Sequence, residues 1–379
     1  MTTVGLPIPL YGIYHDAAME QVAAEVLRSG QIASGPHVEQ FEAQFGALIG
    51  SSKVVTVNDM SNAIQIAFKL AGVQDQDDVL TTAYACMSTN APIATAGARP
   101  VWVDVDPQTG AMDPQSLLRS ITPASKAVLL YHPAGYPAQV QRIAEICQQH
   151  QLKLIEDCDN ALLARAGGQL AGSYGDYAIY SFYPNRHINA TAGGALVCRD
   201  AAELARAKRL RRYGIDMPNF RAANGEINPQ SDIAEIGFAS TLNNLCAAIG
   251  KTQLGGVAQR IAKARSVAQT ITAGIAGLPG IAAVKPLAHT EPSYWALLLL
   301  AEQRDLLMAR LKAAGVQCSK LHHRTDAYSG FKPSAHDLPG TAQFMNQVLA
   351  IPCGWWLDDH QVNRLIETIK EISMALQRG

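Results

Sequence analysis

Residues 180–197 read "YSFYPNRHINATAGGALV". The apolar run "YAIYSF" that leads into it suits a buried strand, the glycine pair at 193–194 suits a turn, and "GALVC" suits a second buried strand. Between them lies a polar stretch containing Arg186 and His187. Side chains just beyond a strand end are where an α/β sheet places its ligand, so this stretch is the first candidate for chemistry.

Outward from it, short apolar runs alternate with amphipathic segments from about Val54 to Val197. "KVVTV" precedes "SNAIQIAFKLAG", "DVLTT" precedes "MSTNAPIATAG", "PVWVDV" precedes a helix near Gln115, and "KAVLLYH" precedes "QVQRIAEICQQHQ". "LKLIED", "YAIYSF" and "GALVC" follow. This rhythm predicts an α/β domain with a mainly parallel sheet covered by helices on both faces. After Arg199 come a helix, a long polar excursion from Ile215, and a long helical region broken near Gly255-Gly256. A small α+β unit is then predicted: strand "SYWALLLLA", helix "RDLLMARLKAAG", strand "VQCSKL", and helices after Gly340 and Asp358. The reading divides the chain into residues 1–250 and 251–379, with 1–50 able to pack on the smaller unit.

The charge balance, 31 basic against 32 acidic side chains in 379 residues, provides no field for a nucleic-acid backbone or an anionic membrane. Seven dispersed cysteines without a CxxC spacing point to reduced thiols in a cytoplasmic protein and to no metal site. "MTTVGLPIPLYG" lacks the basic-then-apolar order of a signal peptide, and "YWALLLLA" is too short to span a bilayer.

The segments "VLRSGQIASGPHVEQFEAQFGALIGS", "GARPVWVDVDPQTGAMDP", "LIEDCDNAL", "GSYGDYAIYSFYPN", "GGALV", "AAIGKTQL" and "VLAIPCGWWLDD" occur in an order that resembles the DegT/StrS-type nucleotide-sugar aminotransferases over nearly the whole chain. These are fold-type I enzymes of pyridoxal phosphate (PLP). The resemblance implies that large fold with a small C-terminal α+β domain, a homodimer, and a sugar nucleotide or another small anion as ligand. It also implies roles for residues. Asp157 matches the carboxylate beside the pyridine nitrogen, which keeps that ring protonated as an electron sink. Read alone, Asp157 merely ends a strand. Met60-Ser61 and Ser181 match phosphate-binding positions, although Ser61 serves equally as a helix N-cap. Cys86 stands where the family stacks an aromatic ring, and Asn160 where it has Gln or His. Ala239 and Thr241 fall where many members reach the neighbouring subunit's cofactor.

In the family's pattern Ser-Phe-x-Pro-x-Lys the last position, counted from Ser181, is Arg186, and no lysine lies between Lys153 and Lys208. Arginine remains protonated and cannot form a Schiff base, though its fork of donors suits an anion together with Ser61 and Ser181. His187 offers an imidazole that takes and returns protons near neutral pH, or is a loop histidine without chemistry. Trp355-Trp356 are read as packing a domain or subunit contact, and His322 to Arg324 lack a third metal ligand; the resemblance implies that this last segment borders the sugar-nucleotide site. Three functions follow: a sugar-nucleotide enzyme holding PLP or pyridoxamine phosphate (PMP) without a covalent bond, a non-catalytic binding or partner subunit, and a conventional PLP-dependent sugar aminotransferase.

Overall fold

The structure, a computed structural model, describes residues 7–331 and 333–377. Residues 1–6 of the N-terminal segment on which the signal-peptide reading rests therefore lie outside the described residues. Seven strands form the main sheet: β1 (Val54–Val57), β2 (Asp78–Thr82), β3 (Arg99–Val103), β4 (Ser125–Tyr131), β5 (Lys153–Asp157), β6 (Tyr177–Ser181) and β7 (Gly194–Cys198), in the order β1-β7-β6-β5-β4-β2-β3. All pairings are parallel except those of β7, which runs antiparallel to both β1 and β6. The chain is a mixed α/β structure of fold-type I aminotransferase architecture.

The continuous apolar character of the strands follows from burial on two faces. Along β6, Tyr177 and Ile179 face a core that includes Ile64 and Phe68 of α3 (Met60–Ala71). Ala178 and Tyr180 face the other core with Phe41 and Phe45 of α2 (His37–Ile49). There Phe45 meets Tyr180 and Phe182 edge-on, each at 5.2 Å between ring centroids.

A second sheet orders Ile281–Ala283, Leu297–Ala301 and Val348–Ile351, with the middle strand antiparallel to both neighbours. The predicted strand "VQCSKL" is not a full strand: Val316 bridges Ile8 and Ser319 bridges Ala350 as isolated pairs. Pro7 and Pro9 flank Ile8 and carry no N–H, so the N-terminal segment can extend no ladder. Ile8 donates to the Gly315 carbonyl and accepts from the Gln317 amide, each at 2.9 Å. The break near Gly255-Gly256 is a turn of 3-10 helix between Asn244–Thr252 and Val257–Gly274. The excursion from Ile215 folds into a four-residue helix, Met217–Phe220, and one bridge between Arg221 and Ile227. No helix among the described residues is long and apolar enough to cross a membrane.

Two positions fix the start of α3 against the sheet. Asp59 caps it, its carboxylate accepting the Ser61 amide at 2.8 Å. Gly194 allows β7 to approach it, since a Cβ there would stand 2.8 Å from the backbone of Met60. Gly194→Ala is therefore expected to destabilise the fold by about 1–3 kcal/mol through overpacking against backbone. Gly255→Ala, where nothing lies within 4 Å, should be nearly neutral by urea denaturation.

Candidate active site

Loops after the carboxyl ends of β1, β2, β5 and β6 converge on a cavity of about 340 Å³. It is bordered by Asp59 and Met60, by Cys86 and Ser88, by Asp159 and Asn160, and by Ser181, Tyr183, Asn185 and Arg186. Trp295, Leu321 and His322 close it from the C-terminal part of the chain. Of the residues singled out from sequence, Met60, Cys86, Asn160, Ser181 and Arg186 border this cavity, whereas Ser61, Asp157 and His187 do not.

Arg186 is held on every side. One terminal nitrogen donates to Asp159 Oδ2 at 2.7 Å, and the other to Asn185 Oδ1 at 2.7 Å. The guanidinium lies 4.8 Å from the ring centre of Trp295, whose other contacts include a stacked Tyr11 at 4.3 Å. Burial works against its charge, but Asp159 outweighs burial and keeps it protonated. The donor fork offered above to an anion is thus engaged by the chain itself.

Asp157, at the end of β5, is wholly buried. Its Oδ2 accepts from the Thr89 hydroxyl at 2.7 Å and its Oδ1 from the Asp159 amide at 3.1 Å. Burial, reinforced by the neighbouring Asp159 charge, pushes its carboxyl up to about 8. Of the two aspartates, Asp159 has the guanidinium as partner and Asp157 carries the proton near neutral pH.

Burial disfavours the charged forms of the two histidines and the thiol at or beside the cavity. His187 is buried and pushed down to about 3 by burial and by the charges of Arg260 and Arg186. Its carbonyl accepts from Arg260, and its Nε2 has no partner. His322, in the segment that the resemblance puts beside the sugar-nucleotide site, borders the cavity with its Nε2 3.1 Å from the Tyr131 hydroxyl. It too is pushed down to about 3, by burial and Arg186. Burial raises the Cys86 thiol, which contacts the Ser88 hydroxyl at 2.7 Å. Ser181 Oγ accepts from the Tyr183 amide at 3.3 Å, and Ser61 Oγ donates to the Ser88 carbonyl at 3.2 Å. Trp355 and Trp356 pack on the N-terminal segment, at Tyr14 and the Pro9 carbonyl. Ala239 offers only its carbonyl, to the Asn58 amide at 3.4 Å, and Thr241 bridges Val57.

Behind the cavity, His132, Glu156 and Cys158 present ligand-type atoms within 4.8 Å of one another. The imidazole Nδ1 accepts the Ala138 amide, and Nε2 donates to Glu156 at 3.2 Å. Glu156 also collects the amides of Gly172, Tyr174 and Gly175. The group is therefore a closed hub under β5 whose lone pairs are spent on the chain.

A sequence profile described as the DegT/DnrJ/EryC1/StrS aminotransferase family matches residues 14–370. The chain belongs to this family. It is 29% identical over 360 residues to the dTDP-3-amino-3,4,6-trideoxy-alpha-D-glucose transaminase of Streptomyces venezuelae, covering 94% of this chain and 92% of that protein. It is 30% identical over 359 residues to the dTDP-4-dehydro-2,3,6-trideoxy-D-glucose 4-aminotransferase of Saccharopolyspora spinosa, covering 92% of each. The crystal structure of the sugar aminotransferase CalS13 from Micromonospora echinospora superposes with a TM-score of 0.91 at 31% identity, over 96% of this chain and 99% of that one.

The residues that border the cavity supply no amine to anchor PLP, the cofactor this family implies. No lysine borders the cavity, and the two terminal nitrogens of its single arginine donate to Asn185 and Asp159, while its Nε has no partner. At the start of α3, where a phosphate would take backbone N–H groups, the Asp59 carboxylate already holds the Ser61 amide and brings a negative charge of its own. Asp157 does not border the cavity, and burial raises its carboxyl to about 8. Reasoning from sequence missed Asp59 and Asp159. The available signals were an acidic N-cap before "MSN" and a second carboxylate two residues after Asp157, in a segment that must meet an arginine.

The Asp157 shift has a testable consequence. A folded value near 8 against an unfolded value of 3.8 means that folding takes up a proton between those limits, so this group costs progressively more stability as pH rises toward 8. Asp157→Asn, which keeps the shape and stays neutral, is expected to gain on the parent between pH 5 and pH 8 in urea midpoints. An equal difference at both pH values would show that Asp157 is ionised in the fold.

Proposed function

We propose that this chain recognises a sugar nucleotide and does not run transamination through a Schiff base on its own residues. The observation that carries the reading is the Arg186–Asp159 ion pair, 2.7 Å long, at the strand-end position where the family's pattern puts an amine. Schiff-base chemistry needs a nitrogen that can lose its proton, and a guanidinium held by a carboxylate is the reverse of that. Sugar-nucleotide recognition is supported by the printed activities of the relatives, which act on dTDP-linked sugars, at coverage that spans almost the whole chain.

A route in which PLP or PMP is held without a covalent bond and His187 moves protons receives little support. That imidazole is neutral down to about pH 3, does not border the cavity, and is shielded by burial. Conventional transamination is the activity printed for the relatives, and Arg186 is the feature that argues against carrying it over.

A homodimer and a cytoplasmic location are part of the same proposal. The side chain of Tyr183, 57% exposed, borders the cavity and would be covered by a second copy.

Incubation with PLP, borohydride reduction and peptide mass spectrometry are expected to place no phosphopyridoxyl group on a residue bordering the cavity, while dTDP-glucose titrates as a saturable ligand by calorimetry. A reduced adduct on a cleft residue, or glutamate-dependent amination of a dTDP-keto sugar by the purified chain, would overturn the proposal.

A further inference from the structure

The loop that carries Arg186 is held by two side chains from outside it. The indole N–H of Trp295 donates to the Asn185 carbonyl at 2.7 Å, and the Asn185 side chain in turn accepts from Arg186. On the other flank the Arg260 guanidinium donates to the His187 carbonyl at 3.0 Å and to the Gln253 carbonyl at 3.3 Å. Arg260 is 7% exposed, and its direct contacts are those carbonyls and an aromatic ring.

Both holders are covered by the same short segment, residues 8–14, in which two tyrosines three positions apart each take one. Tyr11 stacks on Trp295, with ring centres 4.3 Å apart and planes 19° from parallel, on the same indole that lies 4.8 Å from the Arg186 guanidinium. Tyr14 lies over Arg260, 4.0 Å from the guanidinium carbon to the ring centre, and its carbonyl accepts from the Asn189 side chain at 3.4 Å. A ring laid face-on excludes water and its negative face favours a cation, so each tyrosine stabilises the group beneath it in one position.

The segment's own backbone attachment is slight. Ile8 makes two bonds of 2.9 Å, with Gly315 and Gln317, and Trp356 donates to the Pro9 carbonyl at 3.1 Å. The prolines on each side of Ile8 stop a ladder there. Gly12 passes so close to Trp356 that a Cβ would stand 2.6 Å from its ring. A segment held by ring faces and few backbone bonds opens at lower cost than the sheet beside it.

We infer that residues 8–14 are a strap that latches the Arg186 loop, and that Tyr11 and Tyr14 are positioning residues: Tyr11 acts through Trp295 and Asn185, Tyr14 through Arg260 and His187. With the strap in place Arg186 stays on Asp159; with it lifted, the loop is released and the guanidinium becomes available to a ligand. The latch belongs to the free chain and is independent of which ligand the cleft takes.

Hydrogen-exchange mass spectrometry on the full chain, without ligand, tests it. Within residues 185–191 the amides of Arg186, Asn189, Ala190 and Thr191 donate to the Tyr183 carbonyl, the Gln253 side chain, the Phe182 carbonyl and the Asn189 side chain. Tyr11→Ala and Tyr14→Ala should each speed exchange in this segment by about five- to tenfold, while β5 (Lys153–Asp157) exchanges as in the parent. Tyr11→Phe and Tyr14→Phe keep the rings and should restore the parent rate. Trp295→Phe reaches the joint from the other side: it keeps an aromatic face, loses the N–H on Asn185, and should speed the same segment with both tyrosines in place. Unchanged exchange at 185–191 in folded alanine variants, an equal rise in β5, or phenylalanine variants as fast as the alanine ones would overturn the latch. Should the alanine variants not fold, parent-like exchange in Trp295→Phe overturns it instead.

Discussion

The contact between Arg186 and Asp159 sets the charge state of the whole cleft. Both groups are buried, Asp159 almost completely, so neither is tolerable alone; breaking such a pair typically costs about 3–5 kcal/mol. Burial raises Asp157, with the Asp159 charge adding to it, and burial lowers His187 and His322, with the guanidinium adding to it. The face of Trp295 and the side chain of Asn185 are recruited to the same cation. A cleft that would otherwise present an adjustable base presents a locked charge.

The scaffold around this cleft is conservative in its physics. Strands buried on both faces, the aromatic group of Phe41, Phe45, Tyr180 and Phe182, and the Glu156 hub under β5 depend on apolar area and backbone hydrogen bonds. None of them requires a particular residue at 59, 159 or 186. Stability resides in the layers and chemistry in the loops at the strand ends, so the fold shared with a sugar aminotransferase at a TM-score of 0.91 does not by itself fix the charges of the cleft.

Much of this was legible from residue order. The alternation of apolar and amphipathic runs from Val54 to Val197 predicted the main sheet, and the glycine pair at 255–256 predicted the helix break. "VQCSKL" misled because an apolar, β-prone run becomes a strand only if a partner can ladder with it, and Ile8 sits between two prolines. At the site, counting from Ser181 located Arg186, and the end of β5 located Asp157 and Asn160. His187 looked as promising as Arg186 because adjacent residues are indistinguishable to a count, although only one of them borders the cavity.

By itself the sequence determined the layered α/β fold, the family and the absence of a lysine between Lys153 and Lys208. Only the tertiary structure decided what the cleft's charges do. Asp159 and Arg186 are 27 positions apart, and Asp59 is a hundred positions from Asp159; whether such groups pair, repel or hold a proton depends on distance and burial, which residue order does not contain. The same aspartate is a strand terminus in water and a proton holder beside a second buried carboxylate, because desolvation penalises its charge and a like charge adds to the penalty.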